Sequence, residues 1–144
     1  MTTRRTAMYL IDTNVVSELA KTRGEPGVLA FIAGAAAADE PVYLSVISIG
    51  EIEYGIARLL RRGDTAQAER YATWANALRE RFADHTLDID VDVAALWGRL
   101  RAVDSQHPVD KLIAATALVY DLTVVTRDER DFRGTGARVH NPFA

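Results

Sequence analysis

Apolar residues along this chain fall into two kinds of run. Short unbroken ones occupy residues 7–11 (AMYLI), 41–45 (PVYLS) and 122–126 (LTVVT). Their length, β-branched content and lack of polar alternation predict strands buried on both faces. Two weaker strands are expected at 85–87 and 137–139. Between them the apolar spacing turns helical. A short helix follows Thr13 and Asn14, and a second runs from about Pro26, which suits a first helical turn, into an alanine-rich stretch that Gly34 weakens. Further helices are expected over 48–60, 64–81, 90–103 and 108–120. The pair flanking Gly63 forms an αα hairpin, and the last, the most apolar, is central. Residues 128–132 make about one turn. Strands alternating with helices imply an α/β fold, a mainly parallel sheet with helices on both faces. Such sheets bind ligands outside the carboxyl ends of their strands, so Asp12, Ser45 and Thr126 are expected to line one crevice.

Composition narrows the chemistry. The chain has 144 residues, 49% of them hydrophobic, which suits a single domain over 1–144 with a sizeable core. With no cysteine, disulfides, thiolate metal sites and a thiol nucleophile are excluded. The three histidines (His85, His107, His140) are scattered, which argues against a histidine-rich metal site. The apolar run after Arg4 and Arg5 is too short for a signal peptide, and no run reaches membrane-spanning length, so a cytoplasmic protein is expected. Fifteen arginines and two lysines face 20 acids, for a net charge of −3. That balance does not suit wrapping duplex DNA by bulk charge. It is compatible with an acidic metal site beside a local arginine patch.

Four acids stand at strand ends or helix starts: Asp12, Glu51, Asp110 and Asp128. If they converge, each close pair costs on the order of a kcal/mol or more, and a divalent cation offsets that cost. Oxygen ligands favour Mg²⁺ or Mn²⁺. Each acid also fits a structural role. Ser48 to Glu51 and Thr126 to Glu129 have capping-box spacing. Asp110 suits the helix dipole, and Asp12 suits a helix cap. Glu53 falls on another face from Glu51 and is expected in solvent. Gly55 suggests close packing beside Glu51. His107 is expected to be a loop residue without a catalytic role.

The segments YLIDTNVVSEL (9–19), SVISIGEIEYGI (45–56) and VDKLIAATALVYDLTVVTRDERDF (109–132) resemble the PIN-domain family, and within it the VapC toxins of bacterial toxin–antitoxin pairs. The likeness covers essentially the whole chain. It implies a three-layer α/β/α sandwich and a metal-dependent endoribonuclease that leaves a 5′-phosphate and a 3′-hydroxyl. Asp12, Glu51, Asp110 and Asp128 match the family's acids and would hold one or two Mg²⁺ or Mn²⁺ ions. Asp131 is the alternative or additional fourth acid. Thr126, Ser45, Thr13 and Asn14 match the polar residues beside the acids.

Arg127, Arg130, Arg133 and Lys21 are candidate RNA contacts, as are Arg23, Arg58, Arg61 and Arg62, while Lys111 is placed to pair with an acid. The resemblance further implies a homodimer, a cognate VapB-like antitoxin and a larger hetero-oligomer of the two. Tyr54, Leu59, Leu60, Tyr71 and Trp74 are candidates for that surface, or are ordinary core. Two other readings compete. A flap-type DNA nuclease needs additional helical regions for which the chain has no room, and a phosphatase needs a different acid arrangement from DTN. A non-catalytic RNA- or partner-binding relative would be signalled by loss of an acid, and none is missing.

Overall fold

The computed structural model describes residues 6–143; Arg4 and Arg5 lie outside them. Strands β1 (Tyr9–Ile11), β2 (Val42–Ser45), β3 (Thr86–Leu87), β4 (Thr123–Val125) and β5 (Val139–His140) form one sheet in the order β3-β2-β1-β4-β5. Every pairing is parallel. In register, Leu10 lies between Tyr43 and Val124, and Ile11 faces Val125. Helices α1 (Thr13–Glu18), α2 (Pro26–Ala37), α3 (Val46–Arg61), α4 (Thr65–Arg81), α5 (Val91–Val103) and α6 (Pro108–Tyr120) cover both faces.

The period-2 alternation of side chains divides the core. Ile11, Leu44 and Val125 point to one face, against Val15 and Val16 of α1, Val28 of α2, Ile52 and Ile56 of α3, and the α4 residues Ala68, Ala75 and Leu78. Leu10 and Val124 point to the other, against Ile113, Ala114 and Ala117 of α6. Helix α5 packs on α6 through Val93, Leu112 and Ala115. This is the expected three-layer α/β/α arrangement, with α6 central and buried from Lys111 through Ala117.

Two local expectations are corrected. Helix α3 begins at Val46, two residues earlier than its pattern suggested, because Ser45 caps it by accepting from the Ile47 N–H at 3.1 Å. Ser48 therefore lies inside the helix, fully buried, and the Ser48–Glu51 capping box does not form. Thr126 and Glu129 do not form one either. The Thr126 hydroxyl accepts from the Asp128 N–H, two residues on, and the 3₁₀ turn Glu129–Phe132 has no side-chain cap. The second correction concerns glycine. A Cβ at Gly55 would meet nothing within 4 Å, so close packing does not explain it. The tight glycine is Gly27, where a Cβ would overlap the backbone carbonyl oxygen of Pro142. The C-terminal segment thus lies directly on the first turn of α2.

These two positions give opposite predictions for the isolated chain. Gly27→Ala should lower stability by about 1–3 kcal/mol, because the overlapped atom is backbone and cannot rotate away. Gly55→Ala should raise it by up to about 1 kcal/mol, since a mid-helix alanine costs less chain entropy than glycine. Urea denaturation of the two variants beside the parent measures both.

Candidate active site

The parallel sheet brings the carboxyl ends of β1 and β4 side by side, and the site is assembled there. Asp12 follows β1 and is only 4% exposed. One of its oxygens accepts from the Thr13 N–H at 2.8 Å, which also makes it the cap of α1. The other accepts from the hydroxyl of Thr126, just past β4, at 2.9 Å. The capping and site readings of Asp12 therefore hold together, one for each carboxylate oxygen.

Two α1 residues extend the network. The Asn14 amide donates to Asp128 Oδ2 at 2.9 Å and lies 3.4 Å from the Thr126 hydroxyl, and its carbonyl accepts from the Arg127 N–H. The Thr13 hydroxyl donates to Glu51 Oε1 at 2.5 Å and lies 3.0 Å from the Ser48 hydroxyl. Glu51 stands in the second turn of α3, away from the exposed helix N–H groups, so neither capping nor the helix dipole accounts for it.

Asp110 lies in the first turn of α6, after Pro108 at the first helical position. Burial is the main cause pushing its carboxyl up to about 7, and the charges of Asp12, Asp131 and Asp128 add to it. Burial also raises Asp12, helped by Glu51 and Asp128 and opposed by the hydrogen bonds from Thr126 and Thr13. The acids picked from sequence therefore share one electrostatic neighbourhood.

Asp128 and Asp131 are placed differently. Asp128 is exposed and tied to Asn14, whereas Asp131 is half-buried and close enough to Asp110 to help raise its carboxyl. His107, Asp110 and Asp131 offer ligand atoms that all lie within 4.8 Å of one another. His107 was expected in a loop and is in one, immediately before α6, but its ring faces both acids, with Nε2 3.4 Å from Asp131 Oδ1 and Nδ1 3.9 Å from Asp110 Oδ2. The available signal was its position three residues before Asp110. Oxygen donors with one imidazole and unrelieved carboxylate repulsion are a donor set that fits a divalent cation.

The remaining predicted residues divide. Ser45 is fully buried, and its hydroxyl serves as the α3 cap. Arg127 is exposed and stacks on Phe143, its guanidinium carbon 4.2 Å from the ring centroid. Arg130 and Arg133 are exposed. Lys21 is bound to the buried carboxylate of Glu18. Lys111 is buried and does pair with an acid, but the acid is Asp104 and not a member of the pocket; it also donates to the Gln106 carbonyl. Tyr54 and Leu60 are exposed, while Leu59, Tyr71 and Trp74 pack against the core. Glu53 is in solvent as expected.

Residues 9–137 match the PIN domain family. The chain belongs to this family. Among PIN-domain relatives, Toxin FitB of Neisseria gonorrhoeae is 34% identical, spanning 94% of this chain and 99% of that protein. VapC ribonuclease Y4jK of Sinorhizobium fredii is 31% identical, spanning 94% and 98%. The crystal structure of FitAcB from Neisseria gonorrhoeae superposes with a TM-score of 0.76 at 33% identity, over 94% of this chain and 98% of that one.

The raised Asp110 carboxyl predicts how stability depends on pH when no divalent ion is bound. Between about pH 4 and 7 the native state holds a proton that the unfolded chain has released. Stability should therefore fall as pH rises through that window, by up to about 1.4 kcal/mol per unit. Chemical denaturation in EDTA at a series of pH values checks this, and Asp110→Asn should flatten the slope.

Proposed function

We propose that this PIN-domain chain is the toxin of a toxin–antitoxin pair and acts as a divalent-metal-dependent endoribonuclease in the cytoplasm, as a single domain. The observation that carries the proposal is the gathering of Asp12, Glu51, Asp110, Asp128 and Asp131 at the carboxyl ends of β1 and β4 and the start of α6, with their charges unrelieved by lysine or arginine among the described residues. The names of its relatives, a toxin and a VapC ribonuclease, support the same reading.

Asp12, Glu51 and Asp110, with Asp128 or Asp131, would hold Mg²⁺ or Mn²⁺. When bound, the ion supplies positive charge against the developing phosphodiester charge and makes water a better nucleophile. The protein residues do the positioning. Thr126 and the Thr13 N–H fix the two oxygens of Asp12. The Thr13 hydroxyl orients Glu51, and Asn14 orients Asp128. Such fixed carboxylates need little reorganisation to receive an ion. Arg127, held against Phe143, and the exposed Arg130 and Arg133 lie beside the fourth acid as RNA phosphate contacts. Exposed Tyr54 and Leu60 on α3 suit contact with a VapB-like antitoxin or a second copy of the chain. None of the described helices is long and apolar enough to cross a membrane.

The test is cleavage of total cellular RNA by the purified protein with Mg²⁺, with Mn²⁺ and with EDTA. Discrete cuts should require the ion, and Asp12→Asn should slow them by at least about 100-fold while leaving the fold intact. Equal patterns from both proteins, with copurified antitoxin excluded, would favour a non-catalytic RNA- or partner-binding role.

A further inference from the structure

We propose that His107 is itself a ligand of the divalent ion, giving the acidic site one imidazole donor and a preference for first-row transition ions such as Mn²⁺ over Mg²⁺. This rests on the metal-site reading above and goes beyond its oxygen-only ligand set.

The ring is wedged between two carboxylates on different elements. Its Nε2 is 3.4 Å from Asp131 Oδ1 and its Nδ1 is 3.9 Å from Asp110 Oδ2. Both separations exceed the roughly 2.7–3.2 Å of a good N–H···O bond. Neither is a formed hydrogen bond, and one ion can take only one of the two nitrogens. The ligand set is therefore one ring nitrogen with one oxygen of each acid, the other nitrogen keeping its hydrogen toward a carboxylate. With metal–donor bonds of about 2.0–2.2 Å, donors sit about 3–4.4 Å apart, and the three here lie within 4.8 Å of one another. A closure of a few tenths of an ångström completes the set.

The position of His107 is also fixed from behind. Its backbone is left-handed, with φ of 51°. Buried Lys111 donates to the carbonyl of the preceding Gln106 and pairs with Asp104, and Asp104 in turn accepts from the Gln106 N–H at 3.0 Å. On the other side, the Trp97 indole N–H donates to the Pro108 carbonyl at 2.9 Å. The imidazole is thus presented by a braced loop, as a pre-organised ligand requires. Imidazole adds little affinity for Mg²⁺, a hard ion that keeps its waters, and more for transition ions. One such donor therefore shifts selectivity without changing the acids.

The experiment uses the untagged full chain loaded with Mn²⁺. Pulsed electron paramagnetic resonance should detect ¹⁴N coupled to the bound Mn²⁺, and the coupling should vanish in His107→Asn. Asparagine tolerates the left-handed backbone, and an unchanged thermal midpoint confirms that the variant folds. Competition titrations should show the Mn²⁺ over Mg²⁺ preference falling about tenfold in that variant. Absence of ¹⁴N coupling in the parent, or coupling and preference that survive His107→Asn, overturns the His107 assignment. If Mn²⁺ binding is then still abolished by Asp110→Asn, the acidic metal site stands without it. A parent chain that binds neither ion overturns both.

Discussion

Asp12 ends a buried strand with 4% of its surface exposed, and a carboxylate in that position needs hydrogen-bond donors if it is to carry charge. Thr126 and the first amide of α1 supply them. Because Thr126 follows β4, the bond from its hydroxyl also ties together the ends of two neighbouring strands. The next two residues, Thr13 and Asn14, reach Glu51 on α3 and Asp128 beyond β4. A single turn of polypeptide after β1 thereby sets three of the acids. The parallel register of β1 with β4 makes this geometry available, and the two-sided apolar core holds that register in place.

The same arrangement concentrates negative charge without relieving it. Lys21 is engaged with Glu18, Lys111 with Asp104, and Arg127 with the Phe143 ring, and among the described residues no lysine or arginine forms an ion pair with the acids of the site. Among the described residues, the nitrogen base that faces Asp110 and Asp131 is the His107 ring. Burial, with the charges of Asp12, Asp131 and Asp128 added to it, pushes the Asp110 carboxyl up to about 7. Charge left uncompensated at the mouth of a rigid sheet is a state that an added cation stabilises strongly. The net charge of −3 says nothing of this, because the effect is local.

Much of this could be read in the sequence, and the parts that could not have a common cause. Asp12, Asp110 and the five strands were legible because their signals are local: an apolar run that stops at an acid, or a proline followed by an acid and then an apolar helix. Local spacing misled at Ser48 and Thr126. Both fit a capping box, yet Ser45 is the cap of α3, and the Thr126 hydroxyl bonds a carboxylate 114 residues away. The Thr13 link to Glu51 spans 38 residues and leaves no local trace. His107 lies in a loop as its sequence context suggested, but its approach to Asp131 was not legible, because only the fold brings Asp131 to its other side. Glycine behaved similarly, since whether a missing Cβ matters depends on what packs there, at Gly27 a distant carbonyl and at Gly55 open space.

The central claim is that fold-imposed crowding of carboxylates creates a cation site in which Asp110 must give up its proton when the ion arrives. Calorimetric titration of Mg²⁺ at pH 7, in two buffers of different ionisation enthalpy, measures that proton directly. The account predicts saturable binding with release of about half a proton per site, growing as the pH is lowered toward 6. Binding without proton release, or no binding at millimolar Mg²⁺, would contradict it.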